Sequence, residues 1–234
     1  MSELALMNMN GLLFLLRWMH IFFGITWIGL LYYFNFVQGP FFAETDGTTK
    51  SNAIQKLVPR ALLWFRWAAM WTLATGYAYL GIRGHMGGHE MFKSAWGVTI
   101  MTGMLFGTVM WFNVWFVIWP NQKIVIENAT LTAQGKPGIA GAADAGARAG
   151  VASRHNVLFS FPMLFCMAAA SHMPLAVGEA YKFGAYFGAL LVILIALQLN
   201  AMKGKTGPIT SVKGVIHFGV LLTVVVYALM ELMK

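Results

Sequence analysis

The sequence predicts an all-α, polytopic membrane bundle of about six transmembrane helices, and two observations carry this prediction. Of the 234 residues, 59% are hydrophobic and only 10% are charged, and the mean hydropathy is +0.66. Several apolar segments reach the roughly 20 residues that are needed to cross about 30 Å of hydrocarbon, and they lack the strict alternation of porin strands. We therefore expect one transmembrane helical domain over 1–234.

The predicted spans are, in order, 11–38, 60–82, 97–119, 154–173, 182–201 and 212–232. An even number of spans places both termini on one side of the membrane. The loops of the opposite side hold ten lysines and arginines, against five on the side of the termini. Because basic residues concentrate in cytoplasmic loops, this bias predicts periplasmic termini and a multi-pass protein of the bacterial inner (cytoplasmic) membrane.

The composition changes between spans three and four, where the chain becomes rich in glycine and alanine. Such a stretch predicts a flexible cytoplasmic loop over 121–152 rather than a further domain. The net charge of +8 is first a topology signal in a polytopic protein, so the lipid bilayer is the expected surrounding and nucleic acid is not an expected partner.

An ionisable side chain interrupts the first predicted span. On a helix, His20, Gly24, Trp27, Leu31 and Asn35 recur three or four residues apart and form one stripe. A histidine within hydrocarbon indicates a function, because lipid offers it neither water nor a counter-charge. We expect this stripe to face protein or a cofactor, with Gly24 leaving room for a flat ring. The alternative is a histidine that only hydrogen-bonds to a neighbouring helix.

Three more histidines lie at or near the ends of predicted spans. His172 is placed toward the same membrane surface as His20, whereas His155 and His217 are placed toward the other surface. His155 and His172 are roughly 25 Å apart along one helix and about 100° apart around it, so span four serves both surfaces only if it bends at Pro162. The alternative for these two is an interfacial position in water.

Together the four histidines predict haem ligation. A low-spin electron-transfer haem takes two axial imidazoles from facing helices, so the sequence offers one or two haem b sites. The candidate iron ligands are His20, His155, His172 and His217. His85 and His89, by contrast, lie in a glycine-rich stretch that predicts an aqueous loop, and two ligands are too few for a metal site.

Three arginines lie at the depths of the candidate ligands, where haem propionates need counter-charge. They are Arg17, Arg66 and Arg154. For Arg66 the alternative is a side chain that extends to the interface. Cys166 is the only cysteine, so a haem here must be held without the two thioether bonds of a c-type cytochrome.

Three stretches in combination resemble one known family. They are MHIFFGITWIGLLYYFNFVQ over 19–38, NVWFVIWPNQK over 113–123 and SRHNVLFSFPMLFCMAAASH over 153–172. They are similar to the N-terminal membrane domain of the bacterial membrane-bound urate oxidases, and the similarity covers most of the chain. In full-length members a cytochrome c domain follows this domain, which implies electron transfer to a c-type haem. Because this sequence ends at Lys234, the resemblance implies a separate periplasmic cytochrome or another redox subunit as partner.

A more distant resemblance joins the first helix to small membrane proteins that bind haem b or confer copper resistance. This group includes the bacterial oxygen-independent protoporphyrinogen oxidase, which favours haem. The copper-resistance proteins leave copper open, and Met173 beside His172 is the one soft ligand near these histidines.

The leading functional prediction is a haem b-containing redox subunit that passes electrons between a periplasmic cytochrome c-like partner and quinone or a partner enzyme. In a second reading the domain is itself an oxidoreductase that oxidises urate or another purine. A third reading, from a different class, is a haemless channel, transporter or assembly subunit. A reduced-minus-oxidised absorption spectrum separates the first two from the third.

Overall fold

The computed structural model describes residues 5–173, 177–178 and 180–234, and these residues form a helical bundle. The elements, in order, are α1 (Met9–Tyr32), the π-helical segment π1 (Tyr33–Gln38), α2 (Gly39–Glu44), α3 (Gly47–Lys56), α4 (Val58–Gly87), α5 (Ala95–Phe112), the π-helical segment π2 (Asn113–Ile118), α6 (Trp119–Ala133), α7 (Ala142–His172), α8 (Phe183–Lys203) and α9 (Val212–Leu232).

Short polar side chains set several helix starts. The Asn8 side chain accepts a hydrogen bond from the backbone of α1, and Ser94 and Ser211 do the same for α5 and α9. Asp46 caps α3, and the hydrogen bonds from Thr49 hold the pKa of this carboxyl below its usual range. Such caps satisfy backbone N–H groups that the first helical turn leaves without a partner.

Four helical runs are long and apolar enough to cross a membrane, which indicates a multi-pass membrane protein. They are Met9–Glu44, Ala95–Ala133, Phe183–Lys203 and Val212–Leu232. Each of the six predicted spans falls, to within one residue, in a continuous helical run, but α4 and α7 do not reach the same hydropathy. Six crossings and periplasmic termini therefore stay predictions.

The low hydropathy of α7 follows from its position in the bundle. It packs against α1, α5, α6, α8 and α9, and all residues from His155 to Ser160 are buried. A helix that is surrounded by other helices can carry polar side chains, because they bond to protein rather than face lipid. α7 runs without interruption through Pro162.

The prediction of a flexible loop over 121–152 is wrong for most of that range. α6 continues to Ala133 and α7 begins at Ala142. Small residues of α7, such as the buried Ala145 and Ala149, allow its first turns to pack against α6. The glycines and alanines therefore serve close helix packing, a use that composition alone does not distinguish from flexibility.

Only a short turn, 134–141, separates α6 from α7. Gly135 and Gly141 have φ angles of 72° and 80°, a region that glycine adopts at little cost. The turn is fixed to α6 because the Ile139 backbone N–H donates to Asn128 Oδ1 at 2.7 Å. The two helices thus form a defined hairpin.

The π-helical segments share a pattern. π1 and π2 each end two residues before a proline, Pro40 or Pro120. Proline has no N–H to continue the regular ladder, and the wider turn changes the helix register ahead of it. Each segment also turns a buried asparagine, Asn35 or Asn113, toward neighbouring helices.

Candidate functional site

A large cavity lies between α1, α4, α5 and α7, near the end of the bundle where α7 terminates. Its volume is about 690 Å³, within the range of pockets that bury cofactor-sized ligands. Its walls are mostly apolar, and His20 and His172 both line it. We call it the His20 cavity.

His20 has a defined tautomer in this cavity. Its Nδ1 lies 2.8 Å from the Thr72 carbonyl oxygen. Because a carbonyl oxygen only accepts, Nδ1 carries the proton and Nε2 keeps its lone pair. Nε2 makes no hydrogen bond to the part of the chain that the structure describes. A hydrogen bond from the other ring nitrogen to a carbonyl is the usual support of a metal-ligating histidine.

Gly76 makes room for this imidazole. A Cβ atom at position 76 would lie 3.0 Å from His20 Cε1 and 3.1 Å from Nδ1. These distances are shorter than ordinary van der Waals contact, so a methyl group there would displace the ring. Glycine at this position on α4 thus lets the histidine lie flat against the facing helix.

Gly24 lines the cavity, as do Gly29 and Gly76. The only atom within 4 Å of a Cβ added at Gly24 is Thr72 Cγ2, at 3.9 Å, which is an ordinary contact. The space beside Gly24 is therefore open, and its use by a cofactor ring stays a prediction.

Arg17 lies toward the end of the cavity that is remote from the bundle centre. The side chain is exposed, donates to the Tyr79 hydroxyl and lies over the Tyr79 ring, 5.0 Å from its centroid. His172, in the last turn of α7, is exposed as well. A cation and a second imidazole thus stand beside His20 at the solvent-facing part of the cavity.

The deep end of the cavity contains a buried donor. Trp27 is 2% exposed, and its indole Nε1 has no hydrogen-bond partner within the described residues. Met163 and Met167 of α7 line the cavity as well. The predicted stripe does face protein, because Trp27, Leu31 and Asn35 are all buried.

The structure places His155 in a different situation. It is 1% exposed, rather than interfacial, and both ring nitrogens are bonded. Nδ1 donates to the Val151 carbonyl oxygen at 2.9 Å, and Nε2 accepts from Asn200 Nδ2 at 2.8 Å. The lone pair that iron would need is therefore already used.

His217 does not join His155 in a common pocket. It is exposed on α9, and its Nδ1 donates to the Lys213 carbonyl oxygen of its own helix at 2.7 Å. Neither residue lines the His20 cavity or a second cavity, which contains Arg154. The structure thus brings His20 and His172 to one cavity and does not do so for the other pair.

The other two candidate arginines, Arg66 and Arg154, do not line the His20 cavity. The Arg66 guanidinium stacks over the Trp119 ring at 3.7 Å from the centroid, a cation–π contact. Arg154 lines the second cavity, which lies between π1, α4 and α7.

Sequence reasoning missed Thr72 and Gly76 as parts of this site, whereas Trp27 belongs to the predicted stripe. A buried threonine or glycine on an apolar helix is ordinary, and only the pairing of α1 with α4 shows that Thr72 and Gly76 face His20. The available signal was weak: Gly76 follows Thr72 by one helical turn.

The His20 cavity fits a haem group by three independent features. It has a histidine with a free Nε2 lone pair, a second histidine in its lining, and a cation near its opening. Its walls carry few polar groups, as a porphyrin face requires. Among the described residues there is no group of three or more histidine, cysteine or acidic side chains that could hold a metal ion.

Fold and cavity thus define a polytopic helical membrane protein with a large apolar pocket that contains histidines. A family model described as urate oxidase N-terminal matches residues 85–230, more than half of the chain, and the chain belongs to this family. The match includes His155, His172 and His217 and begins after His20. No curated protein and no solved structure matches the chain.

Proposed function

We propose that this chain is a haem b-containing redox subunit of a bacterial inner membrane. In this proposal it passes electrons between a periplasmic c-type cytochrome, or another redox subunit, and quinone or a partner enzyme. The observation that carries the proposal is the tautomer of His20. Its Nδ1 donates to a carbonyl oxygen, while its Nε2 has no hydrogen-bond partner among the described residues, in a cavity that His172 also lines.

In this proposal, residues of the chain ligate the iron, pair with a propionate and exclude water. His20 and His172 would ligate the iron from α1 and α7, and Arg17 would pair with a propionate near the opening. The apolar walls would exclude water from the porphyrin faces. Bound haem b would supply reversible one-electron exchange. Because both nitrogens of His155 are bonded, we propose one haem per chain.

The proposed orientation follows from the basic loops. Lysines and arginines are more numerous on the side of the α6–α7 turn, which we place in the cytoplasm. The His20 cavity, at the opposite end, then faces the periplasm, where a c-type cytochrome could approach Arg17 and His172.

Cysteine labelling tests this orientation. Lys136 and Glu90 are exposed at opposite ends of the bundle, and the only native cysteine, Cys166, is buried. In intact cells an impermeant maleimide should label Glu90→Cys and leave Lys136→Cys unlabelled until the membrane is opened. The reverse pattern would invert the orientation.

A reduced-minus-oxidised absorption spectrum of the purified full chain tests the cofactor. We expect the sharp α-band of a low-spin haem b and an iron-to-protein ratio near one. Iron near two per chain would contradict the single-site proposal, and a spectrum without haem would favour a haemless channel, transporter or assembly subunit.

A second candidate function is urate oxidation by this domain itself, which family membership favours. Membranes that contain the chain should then consume urate, and membranes with His20→Ala should not. If the wild-type membranes show haem but no urate consumption in the presence of an electron acceptor, the chain is an electron-transfer subunit alone.

A further inference from the structure

The second cavity lies at the opposite end of the bundle from the His20 cavity and has a different character. Its volume is about 470 Å³, and it is bounded by π1, the first part of α4, α7 and the turn between α8 and α9. We call it the Arg154 cavity.

Two residues of its lining each carry a buried polar atom that has no partner within the described residues. One atom is Arg154 Nη1, a donor on a charged group, and the other is Gln38 Oε1, an acceptor. A buried polar atom without a hydrogen bond is costly, and a cation without a counter-charge more so. Two such residues in one cavity indicate a ligand that both accepts and donates hydrogen bonds.

The charge of the cavity is one-sided. Among the described residues no aspartate or glutamate lines it, and neither of their ion pairs, Lys93–Glu90 and Lys234–Glu231, includes Arg154. A guanidinium recognises carboxylate and phosphate oxygens through its planar array of donors. A ligand with a net negative charge is therefore the electrostatic complement of this cavity.

The Arg154 cavity lies at the depth of the lipid headgroups. Gln38 is the last residue of the first predicted span, and Arg154 is the first residue of the fourth. Span ends mark the border between the hydrocarbon and the headgroups. Basic pockets between helices at the cytoplasmic border, where the proposed orientation places this cavity, are typical binding sites for acidic headgroups.

Apolar side chains continue from the cavity to the outer surface of the bundle. Val58, Leu62 and Phe65 of α4 line the cavity and are buried. Val37 and Leu57, which adjoin lining residues in sequence, are 56% and 48% exposed. Exposed apolar surface beside a polar site is typical of membrane contact. A ligand that combines an anionic headgroup with acyl chains matches both parts, whereas a free inorganic anion matches only the polar part.

The polar part of the cavity is held in place by contacts between helices. Asn35 Nδ2 of π1 donates to Ser153 Oγ of α7 at 2.8 Å. Ser153 precedes Arg154 in sequence, and Asn35 lies one turn before Gln38. The two residues with unpartnered atoms are thus positioned on helices that are bonded to each other, in keeping with the frequent use of π turns at functional sites.

We propose that the Arg154 cavity binds the headgroup of an anionic phospholipid of the adjacent leaflet, of the phosphatidylglycerol type. The phosphodiester oxygens accept hydrogen bonds from Arg154, a hydroxyl of the glycerol headgroup donates to Gln38 Oε1, and the acyl chains follow the apolar surface beside Val37 and Leu57. The proposal rests on these residues and not on haem, so it can fail or hold independently of the proposed redox function.

Lipid binding to the delipidated full chain in mild detergent, followed by native mass spectrometry, tests the site. Phosphatidylglycerol and phosphatidylcholine with identical acyl chains serve as probes. We expect one phosphatidylglycerol per chain at saturation, bound about tenfold or more tightly than phosphatidylcholine. Arg154→Gln should remove this preference, because a charge-assisted hydrogen bond is lost.

Two further variants separate recognition from folding. Gln38→Leu should weaken phosphatidylglycerol several-fold and leave phosphatidylmethanol, an anionic phosphodiester without a headgroup hydroxyl, nearly unchanged. A folding defect would weaken both lipids. Arg148→Gln is the matched control, because Arg148 is exposed on the same helix and bonds to Asn121 at 3.2 Å, outside the cavity. It should bind each lipid as the wild type does.

The proposal is overturned if the wild type does not distinguish phosphatidylglycerol from phosphatidylcholine, or if the preference persists in Arg154→Gln. It is also overturned if Arg148→Gln loses the preference to the same extent, since the lipid would then respond to the charge of the whole surface. Inorganic phosphate serves as a soluble competitor. If it displaces phosphatidylglycerol at equal concentration, the cavity takes a free oxyanion and not a lipid.

Discussion

Two imidazoles in the bundle, His20 and His155, are both held by helix backbones, yet they are left in different chemical states. Each donates from Nδ1 to a carbonyl oxygen, that of Thr72 or Val151. At His155 a second partner, Asn200, takes the Nε2 lone pair, whereas the Nε2 of His20 lies beside a cavity. The difference shows that burial alone does not make a histidine a metal ligand. The decisive feature is a ring nitrogen whose lone pair accepts no hydrogen bond from the protein.

The largest effect is expected from His20→Ala. It removes an imidazole whose Nε2 has no hydrogen-bond partner within the described residues, so bound haem should fall to near zero. The measurement is the haem-to-protein ratio of the purified variant, with His89→Ala, at an exposed position, as the control. If His20→Ala retained haem at the wild-type ratio, His20 would not be a haem ligand, and the proposed difference between His20 and His155 would be wrong.

His155→Ala should have the complementary effect. It leaves a cavity and takes away the hydrogen-bond partner of Asn200, so we expect the protein to lose about 2–4 kcal/mol of stability. Haem content of the folded fraction should stay at the wild-type ratio. Thermal unfolding in detergent and a haem assay on the same sample check both parts, and loss of haem without loss of stability would assign His155 to the cofactor.

Gly76→Ala sharpens the comparison without removing a ligand. The added methyl would lie about 3.0 Å from His20 Cε1, so the imidazole ring must tilt. We therefore expect a several-fold lower affinity for haem and a shifted haem absorption band. Gly81→Ala is the control on the same helix, because nothing lies within 4 Å of a Cβ there. Identical spectra for the two variants would show that His20 does not hold the chromophore.

The smallest effect is expected from Arg17→Gln. Loss of a positive charge beside the His20 cavity favours the oxidised iron, so the midpoint potential should fall by an amount on the order of tens of millivolts at low salt. Redox titration measures this shift, with Arg148→Gln as the control. A potential that does not depend on Arg17 would separate this arginine from the propionates.

The helical part of the fold follows well from hydropathy. Each predicted span falls, to within one residue, in a continuous helical run, and the stripe that begins at His20 turns its Trp27 and Leu31 inward. Period and length are local properties, which explains this success. The loop predicted over 121–152 is largely helical. Composition could not show this, because a mobile loop and a close-packed helix pair can both be rich in glycine and alanine.

The site was only partly accessible from sequence, for a physical reason. A histidine's partner decides its chemistry, and the partners here are 52 residues away for His20 and 45 for the Nε2 of His155. Gln38 and Arg154 are likewise brought together only by the packing of π1 on α7. Such pairings depend on which helices are neighbours, and helix periodicity carries no information about that.

The hairpin of α6 and α7 has a practical consequence for imaging. The run Ala95–Ala133 has 39 residues, about 58 Å of helix, against about 30 Å of hydrocarbon. Part of the hairpin must therefore project from a micelle or nanodisc as a rigid rod. Small membrane proteins are hard to align in electron micrographs because the lipid belt hides them. A soluble domain inserted between Gly135 and Gly141 would give each particle an orientation marker fixed to the helix that carries Arg154.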